Sequence, residues 1–153
     1  MKLLYGQDKL VANFVAQTVP GLERGFGPCK TIGIVDNDQL IAGLVYHNWN
    51  PESGVIEISG SALSPHWLTR SVLKEMFDYP FNRCGCQMVV MRVSEHNKRL
   101  HRQLKAYGFK SYEIPRLRGR KESEIVFTLT DDDWRAGRFM RSTYGQTIRT
   151  RAA

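Results

Sequence analysis

The sequence has no long hydrophobic run. No apolar stretch approaches the roughly 18 residues that a membrane-spanning helix needs. The opening residues MKLLYGQDKL carry Asp8 where a signal peptide would have an unbroken apolar segment. Internal repeats and low-complexity segments are also missing. We therefore expect a soluble, cytoplasmic protein that does not associate with membranes.

Cysteine is scarce. Cys29, Cys84 and Cys86 are an odd number in a chain of 153 residues, which is long enough to fold without disulfides. The Cys-Gly-Cys segment lacks the second pair of ligands that a zinc site requires. The histidines are scattered without the spacing of a metal site: His47, His66, His96 and His101. We predict reduced thiols, no metal, and surface or packing roles for the histidines.

The composition suits one folded domain. The chain is 42% hydrophobic, which is enough apolar residue content for a single core. We expect one domain over residues 1–139. The remaining residues, 140–153, are rich in Arg, Ser, Thr and Gly, and we expect them to form a basic, flexible tail.

Positive charge is in excess, with a formal net charge of +7. Part of it lies in the tail and part around a predicted turn that contains Arg116, Arg118, Arg120 and Lys121. Such a surface favours anionic partners, either the phosphates of a small cofactor or a nucleic acid backbone. Charge alone does not choose between them, and a solvated basic face is the simplest interpretation.

The apolar periodicity predicts seven strands and four helices. A first strand at MKLLY precedes a helix over about 8–18, and a glycine-rich loop follows. TIGIVDNDQLIAGLVYHNW predicts a hairpin about residues 36–39, and VIEISGSAL predicts a strand with Ile56 and Ile58 on one face. CQMVVMRV is nearly all apolar, which is typical of a strand buried on both faces. FKSYEIPRL and SEIVFTLT predict the last two strands.

The other helices are predicted from their caps. Ser64 is a candidate N-cap for a helix that starts at Pro65 and ends at Tyr79-Pro80. Its buried stripe is Leu68, Val72, Leu73, Met76 and Phe77. A third helix ends at Gly108, where positive φ is expected. A short closing helix starts at the capping box formed by Thr130 and Asp133.

The segment EHNKRLHRQLKAYGF carries a family resemblance. Asn97 is followed eleven residues later by Gly108-Phe109, with Arg99 and Leu100 in step. This spacing resembles the C-terminal signature of the GNAT superfamily of acyl-CoA N-acyltransferases. The resemblance implies an α+β fold of α/β/α layers, with a central mixed, mostly antiparallel sheet of about six to seven strands flanked by about four helices. It also implies acetyl-CoA or another acyl-CoA as the acyl donor.

A second match lies in the strand from Glu57 to Ser64, which is similar to the central strand of the histone-acetyltransferase branch of this superfamily. The resemblance implies that Glu57 is the catalytic base, because a protonated amine must lose a proton before it attacks a thioester. Ser61, Ala62 and Leu63 would hold the thioester oxygen and the pantetheine arm through strand N–H groups. An ordinary strand carboxylate is the alternative interpretation of Glu57.

The resemblance further implies that the next helix binds the pyrophosphate of coenzyme A at its N-terminus. The predicted cofactor residues there are His66, Trp67, Leu68, Thr69 and Arg70. The segment PHWLTRSVL has none of the glycines of the family loop, so Arg70 would act as a side-chain phosphate ligand. Asn97 is predicted to contact the cofactor, to cap its helix, or both. The family's usual tyrosine acid is Leu104 here.

The acceptor side is predicted from aromatic and basic residues: Tyr46, Trp49, Arg116, Arg118 and Arg120. We expect direct transfer in a ternary complex to an amine that carries nearby negative charge, such as an acidic peptide, a phosphorylated metabolite or a nucleic acid base. The alternative is a non-catalytic or nucleic-acid-directed protein, since some phage DNA-modifying proteins have a GNAT-like fold with a degenerate cofactor loop. A homodimer is also compatible with the resemblance.

Overall fold

The structure, a computed structural model, describes residues 1–19 and 21–137. The chain divides into two compact units, Met1–Cys86 and Gln87–Ala153. The expected tail over 140–153 lies outside the described residues, as does the end of the domain predicted over 1–139. A single domain over that range stays a prediction.

The first unit contains four antiparallel strands that neighbour one another in chain order. They are β1 (Lys2–Leu4), β2 (Cys29–Asp36), β3 (Gln39–Asn50) and β4 (Val55–Ala62). β2 and β3 form the predicted hairpin, in which Asn37 and Asp38 have φ angles of 50° and 61°. Two central residues with positive φ give the turn whose twist fits a two-residue hairpin, and Asn and Asp tolerate that conformation.

Helix α1 (Asp8–Thr18) has the predicted bounds and packs on one face of these strands. Val11 and Val15 on its inner side have no exposed surface. A Cβ atom at Gly43 would lie 2.8 Å from Cγ1 of Val11 and 2.9 Å from Cγ2 of Val15. Glycine at this position of β3 therefore lets the helix rest directly on the strand backbone.

The opposite face carries the main core of the first unit. Helix α2 (Arg70–Asp78) packs there, and Val72 on it joins Ile34 and Ala42 in one apolar cluster. Ile56 and Ile58 of β4 are buried on this side, which confirms the predicted alternation along β4. The other buried residues of this core are Ile32, Leu44, Tyr46, Leu73, Met76 and Phe77.

The predicted start of α2 is wrong. The helix begins at Arg70, not at Pro65, and Thr69 is its N-cap, with Oγ1 accepting a hydrogen bond of 3.3 Å from the Val72 N–H. The Ser64 hydroxyl instead accepts from the His66 N–H at 3.3 Å and closes a local turn. Trp67 and Leu68 pack against the cluster of Ile34, Ala42 and Val72. This packing holds residues 65–69 in a loop, although Ser-Pro favours a helix start.

The end of α2 lies where the sequence predicts it. The α-helix ends at Asp78, and the chain continues through a π-helical turn over Tyr79–Arg83. The Cys84 N–H donates to the Tyr79 carbonyl over 3.0 Å, which is the i to i+5 bond of such a turn. Pro80 sits inside this turn, where its missing N–H is tolerated.

The second unit contains three antiparallel strands in the order β5-β7-β6, with two helices. The elements are β5 (Met88–Ser94), α3 (Lys98–Ala106), β6 (Lys110–Ile114), β7 (Glu124–Thr130) and α4 (Asp131–Ala136). The prediction that β5 is buried on both faces is wrong. Val89, Met91 and Val93 are buried, whereas Arg92 is exposed between them.

The Tyr-Gly-Phe segment ends α3 as predicted. Gly108 has a φ of 102°, the Gly108 N–H donates to the Lys105 carbonyl at 3.1 Å, and the Phe109 N–H donates to the Leu104 carbonyl at 3.0 Å. These two bonds form a Schellman motif, and Leu104 and Phe109, at the two positions where an apolar pair often accompanies it, are both buried. The chain can then enter β6 at once, at Lys110.

Candidate active site

The candidate base, Glu57, lies on the face of β4 that also carries α1. Its carboxylate accepts a hydrogen bond of 3.1 Å at Oε1 from Nδ2 of Asn48. Oε2 lies 3.5 Å from Nε2 of His47, and 15% of the Glu57 side chain is exposed. The carboxylate is therefore held on both oxygens by β3 and still reaches the surface.

His47 stands directly opposite Glu57 in the pairing of β3 with β4. Its side chain is 7% exposed. Nε2 lies 2.9 Å from Oγ of Ser59, and the Phe26 ring meets the imidazole edge-on with centroids 4.9 Å apart. Phe26 belongs to the glycine-rich loop between α1 and β2, so this loop covers the buried side of the candidate site.

A β-bulge places Asn48 within reach of Glu57. The β3–β4 register shifts between His47 and Asn50, and Asn48 has a φ of 51°. Bulges of this kind change the direction of a side chain at the end of a strand pair. The Asn50 side chain holds the tip of this hairpin, since Oδ1 accepts from the N–H groups of Glu52 and Ser53 at 3.2 Å each.

The predicted pantetheine segment lies at the other end of β4. The Ser61 hydroxyl lies 2.5 Å from Oγ1 of Thr18, which ties β4 to the last residue of α1. The Leu63 N–H donates to the Ile41 carbonyl at 2.8 Å, so this amide already has a partner inside the unit. The Leu63 side chain is exposed, as is Ala62.

The predicted pyrophosphate residues do not form one helix start. His66, Trp67 and Leu68 lie in the loop before α2, and Thr69 is the cap. Arg70 is the first helical residue and is exposed. The prediction that N–H groups around His66 to Arg70 form the helix N-terminus is therefore wrong, because the first turn runs from Arg70 to Val72.

The predicted acceptor residue Tyr46 is not brought together with Glu57. Tyr46 lies on the α2 face of β3, where its hydroxyl donates to the Met76 carbonyl at 2.7 Å and its ring packs edge-on against Tyr79. Burial raises the Tyr46 pKa well above its ordinary value. Trp49 is exposed at the end of β3.

The predicted site residues of the second unit have local partners. Oδ1 of Asn97 accepts from the Leu100 N–H at 3.3 Å, so Asn97 caps α3. Nε of Arg118 lies 3.2 Å from Oε1 of Glu124, a carboxylate that is 3% exposed. Nε of Arg92 donates a hydrogen bond of 2.8 Å to the other carboxylate oxygen of Glu124, Oε2. Arg118 is thus part of a buried ion pair, not of a solvated turn, whereas Arg116 and Arg120 are exposed.

His47, Asn48, Ser59 and Phe26 were not predicted as site residues. His47 and Glu57 stand on either side of one hairpin loop, and this symmetry was the available signal for their pairing. The bulge that brings in Asn48 has no comparable signal. The contact of Phe26 depends on the fold of a loop, which sequence periodicity does not describe.

Two classes of feature are missing from residues 1–19 and 21–137. No group of three or more His, Cys, Asp or Glu side chains there is arranged to hold a metal ion. In the same described residues, no helix is both long enough and apolar enough to span a bilayer.

No protein-family profile matches the sequence, and no curated protein matches it. Solved structures do. Mutant forms of the spermidine/spermine N-acetyltransferase SpeG from Vibrio cholerae share 13% identity over 69% of this chain and 69% of that chain, with a TM-score of 0.62. A protein provisionally named as an acetyltransferase shares 15% identity over 86% of this chain and 78% of that chain, with a TM-score of 0.66. The ribosomal-protein-S5-alanine acetyltransferase from Vibrio fischeri shares 19% identity over 69% and 63%, with a TM-score of 0.59.

The chain has a GNAT fold. This confirms the predicted fold class, α+β with seven strands and four helices among the described residues. At identities of 13% to 19% the likeness concerns the fold, and the chemistry has to be argued from the site of this chain.

Proposed function

We propose that this chain is a GNAT-type N-acetyltransferase that transfers an acyl group from acetyl-CoA, or a related acyl-CoA, to an amine. The observation that carries the proposal is Glu57, which lies on β4 of a GNAT fold with one oxygen held by Asn48 and the other beside His47. A fixed, partly exposed carboxylate is suited to remove the proton of an incoming ammonium group, directly or through one water molecule.

The residues at the start of α2 fit the pyrophosphate of coenzyme A. The first N–H groups of a helix lack intrahelical partners, and Thr69 satisfies only that of Val72 here. The exposed Arg70 adds a guanidinium at the same helix end, and the two features together favour a bound phosphate. Acyl-CoA would supply the activated thioester, while Ser61, Ala62 and Leu63 would lie along its pantetheine arm.

We propose that the transfer proceeds without the tyrosine that commonly protonates the leaving thiolate in this family. The position of the family's tyrosine is Leu104, a residue that is 1% exposed and packed in the core. A thiol has a pKa near ~8.5 in model compounds, so its thiolate is a fair leaving group without protonation. We propose direct attack of the amine on the thioester in a ternary complex.

We also propose that the acceptor carries negative charge near its amine. This part rests on the net charge of +7 and on the exposed Arg116 and Arg120. The proposal of an anionic acceptor is not taken from the similar structures. One of them, SpeG, is named for the polyamines spermidine and spermine. The acceptor remains an amine of an acidic peptide, a phosphorylated metabolite or a nucleic acid base.

Location and assembly belong to the same proposal. A cytoplasmic protein would have access to acyl-CoA, and a homodimer is the assembly we expect. One structural neighbour, the spermidine N-acetyltransferase from Vibrio cholerae, is named as dodecameric, which concerns that protein. The alternative of a nucleic-acid-directed protein is weakened, because Arg118, one of its proposed contacts, is paired with Glu124.

Calorimetric titration with acetyl-CoA and with free coenzyme A tests the cofactor. We expect micromolar binding of both, weakened about tenfold by Arg70→Gln because a charged phosphate contact is lost. Arg102→Gln, which removes an exposed charge from α3, is the matched control and should bind as the wild type does. If neither ligand binds and DNA binds in a salt-sensitive manner, the acyltransferase proposal is wrong and the nucleic-acid alternative replaces it.

A further inference from the structure

The further inference concerns His47, and it rests on the proposed role of Glu57 as the base. We propose that His47 is a positioning residue that holds the Glu57 carboxylate in its orientation. The pairing of β3 with β4 places the two residues directly opposite each other. The resemblance to GNAT proteins assigns no role to this position.

The distances support a contact between His47 and two acceptors at once. Nε2 is 2.9 Å from Oγ of Ser59 and 3.5 Å from Oε2 of Glu57. The His47 side chain is 7% exposed, and the edge-on ring of Phe26 packs against it. Because water is largely kept away, the attraction between an imidazole N–H and a carboxylate is stronger here than at an open surface.

The chemistry of the partners favours a proton on Nε2 of His47. A carboxylate oxygen accepts hydrogen bonds and donates none, so Nε2 must carry a proton when it faces Glu57 favourably. The Ser59 hydroxyl fits both states of Nε2, since it accepts from an N–H and donates to a bare nitrogen. Ser59 therefore fixes the ring position without fixing the proton on Nε2, and Glu57 is the partner that favours an N–H there, in the neutral ring or in the imidazolium.

Other titratable groups face His47 from the neighbouring elements. Cys29 of β2 stands directly opposite it, and burial together with the charge of Asp8 raises the pKa of the Cys29 thiol. A neutral thiol adds no charge beside the ring. Asp8 of α1 is engaged by the Thr31 N–H at 2.9 Å and lies 3.8 Å from Nζ of Lys30. The Glu57 carboxylate, by comparison, lies 3.5 Å from Nε2.

The contact should be measurable on the His47 side. A carboxylate near the ring stabilises the imidazolium and so raises the pKa of a histidine. Removing Glu57 should therefore lower the titration midpoint of His47. Removing His47 should lower kcat with little change in KM, because the Glu57 carboxylate would lose a donor that fixes its orientation.

Histidine ring resonances followed by NMR against pH test the coupling without any substrate. In Glu57→Gln we expect the His47 midpoint to fall by about half a pH unit or more. The spectrum of His47→Gln assigns the signal, and the exposed His66 in the same spectra is the control, whose midpoint should not move. Equal His47 midpoints in wild type and Glu57→Gln, or no titration of His47 in the wild type, overturn the proposal.

A kinetic measurement separates this proposal from the proposed function. If acyl transfer is found, His47→Ala should lower kcat about tenfold with little change in KM, and His47→Gln, which keeps an N–H donor, should restore part of the loss. An unchanged kcat in His47→Ala overturns the positioning role. If no acyl transfer is found with any amine, the proposed function fails. The NMR titration then still decides whether His47 and Glu57 are coupled.

Discussion

The two neighbours of Glu57 act differently on its carboxylate. Asn48 is a neutral donor, so it orients Oε1 at 3.1 Å without adding charge. His47 carries a ring that is able to gain a proton, and it lies beside Oε2. A base that is oriented by one neighbour and electrostatically coupled to another has a restricted geometry, which general base catalysis requires.

Replacing this carboxylate should remove most of the catalysis. For Glu57→Gln we expect kcat/KM at neutral pH to fall by about 10²- to 10⁴-fold, since an amide does not accept the proton of the amine. The side chain keeps its size and an oxygen for Asn48, so thermal stability should change little. The control is Glu52→Gln, an exposed carboxylate in the same hairpin. Undiminished turnover in Glu57→Gln would show that Glu57 is not the base.

The sequence predicts Glu57 as the candidate base but does not predict which residues surround it. A motif and the alternation of β4 are enough to place Glu57 on a strand face opposite Ile56 and Ile58. Asn48 reaches it only through the bulge between His47 and Asn50, and a bulge changes register in a way that no periodicity records. Such details follow from tertiary pairing, so they become visible only in the folded chain.

At the scale of elements, α2 has two competing start signals. Ser64-Pro65 is a strong local signal, yet Thr69 is the residue that caps the helix. We expect Thr69→Ala to lower the free energy of unfolding by about 1 kcal/mol, and Thr69→Ser to restore most of it. Ser64→Ala should lower the free energy of unfolding by only a few tenths of a kcal/mol. Urea denaturation measures all three variants. A larger cost for Ser64→Ala than for Thr69→Ala would favour a helix that begins at Pro65.

The contact between α1 and β3 depends on a residue without a side chain. A methyl group at Gly43 would collide with Val11 and Val15, so Gly43→Ala should destabilise the protein by about 1–3 kcal/mol. The clash with Val11 is relieved in Val11→Ala, so the cost of Gly43→Ala should be smaller in that background. Denaturation of the four proteins of this double-mutant cycle measures the difference. Strictly additive costs would mean that Gly43 and Val11 do not touch.

Elements with local signals are the ones that the sequence predicts well. The bounds of α1 are correct, and α3 ends at Gly108 because a Schellman motif needs only a glycine and two apolar neighbours in sequence. The start of α2 fails because Trp67 and Leu68 are held by Ile34 and Ala42, which are distant in sequence. Local propensity is a weak guide wherever such contacts decide the backbone.

At the scale of the whole molecule, length and composition predict one domain over residues 1–139, and this stays a prediction beside the two compact units that meet at Cys86 and Gln87. Composition reports how much apolar surface is available to a core, not where along the chain the contacts become sparse. The net charge has a similar limit, because it does not show where the charges lie. Arg118 contacts the buried carboxylate of Glu124, which Arg92 also contacts, so it is not a freely solvated cation of a basic turn.

Two tyrosines of the first unit, Tyr5 and Tyr79, should make the free energy of unfolding depend on pH in the alkaline range. The Tyr5 hydroxyl donates to Oε1 of Glu75 at 2.6 Å, and burial with this bond raises the pKa of Tyr5 to about 12. Burial and a hydrogen bond with Cys84 likewise raise the pKa of Tyr79 to about 12. An unfolded tyrosine loses its proton near pH ~10, so the folded chain binds more protons than the unfolded chain above that pH. Stability should therefore fall as the pH rises from about 10 through about 12.

The substitution Tyr5→Phe removes one of these two titrating hydroxyl groups. Its free energy of unfolding, measured by urea denaturation from pH 8 upward, should start lower than that of the wild type because the bond to Glu75 is lost. Above pH ~10 it should decline less steeply, since one fewer group titrates on unfolding. Below pH ~9 the two slopes should coincide, because a tyrosine with an ordinary or raised pKa is protonated in both states there. Equal slopes above pH ~10 would show that Tyr5 ionises at the same pH in the folded and the unfolded chain.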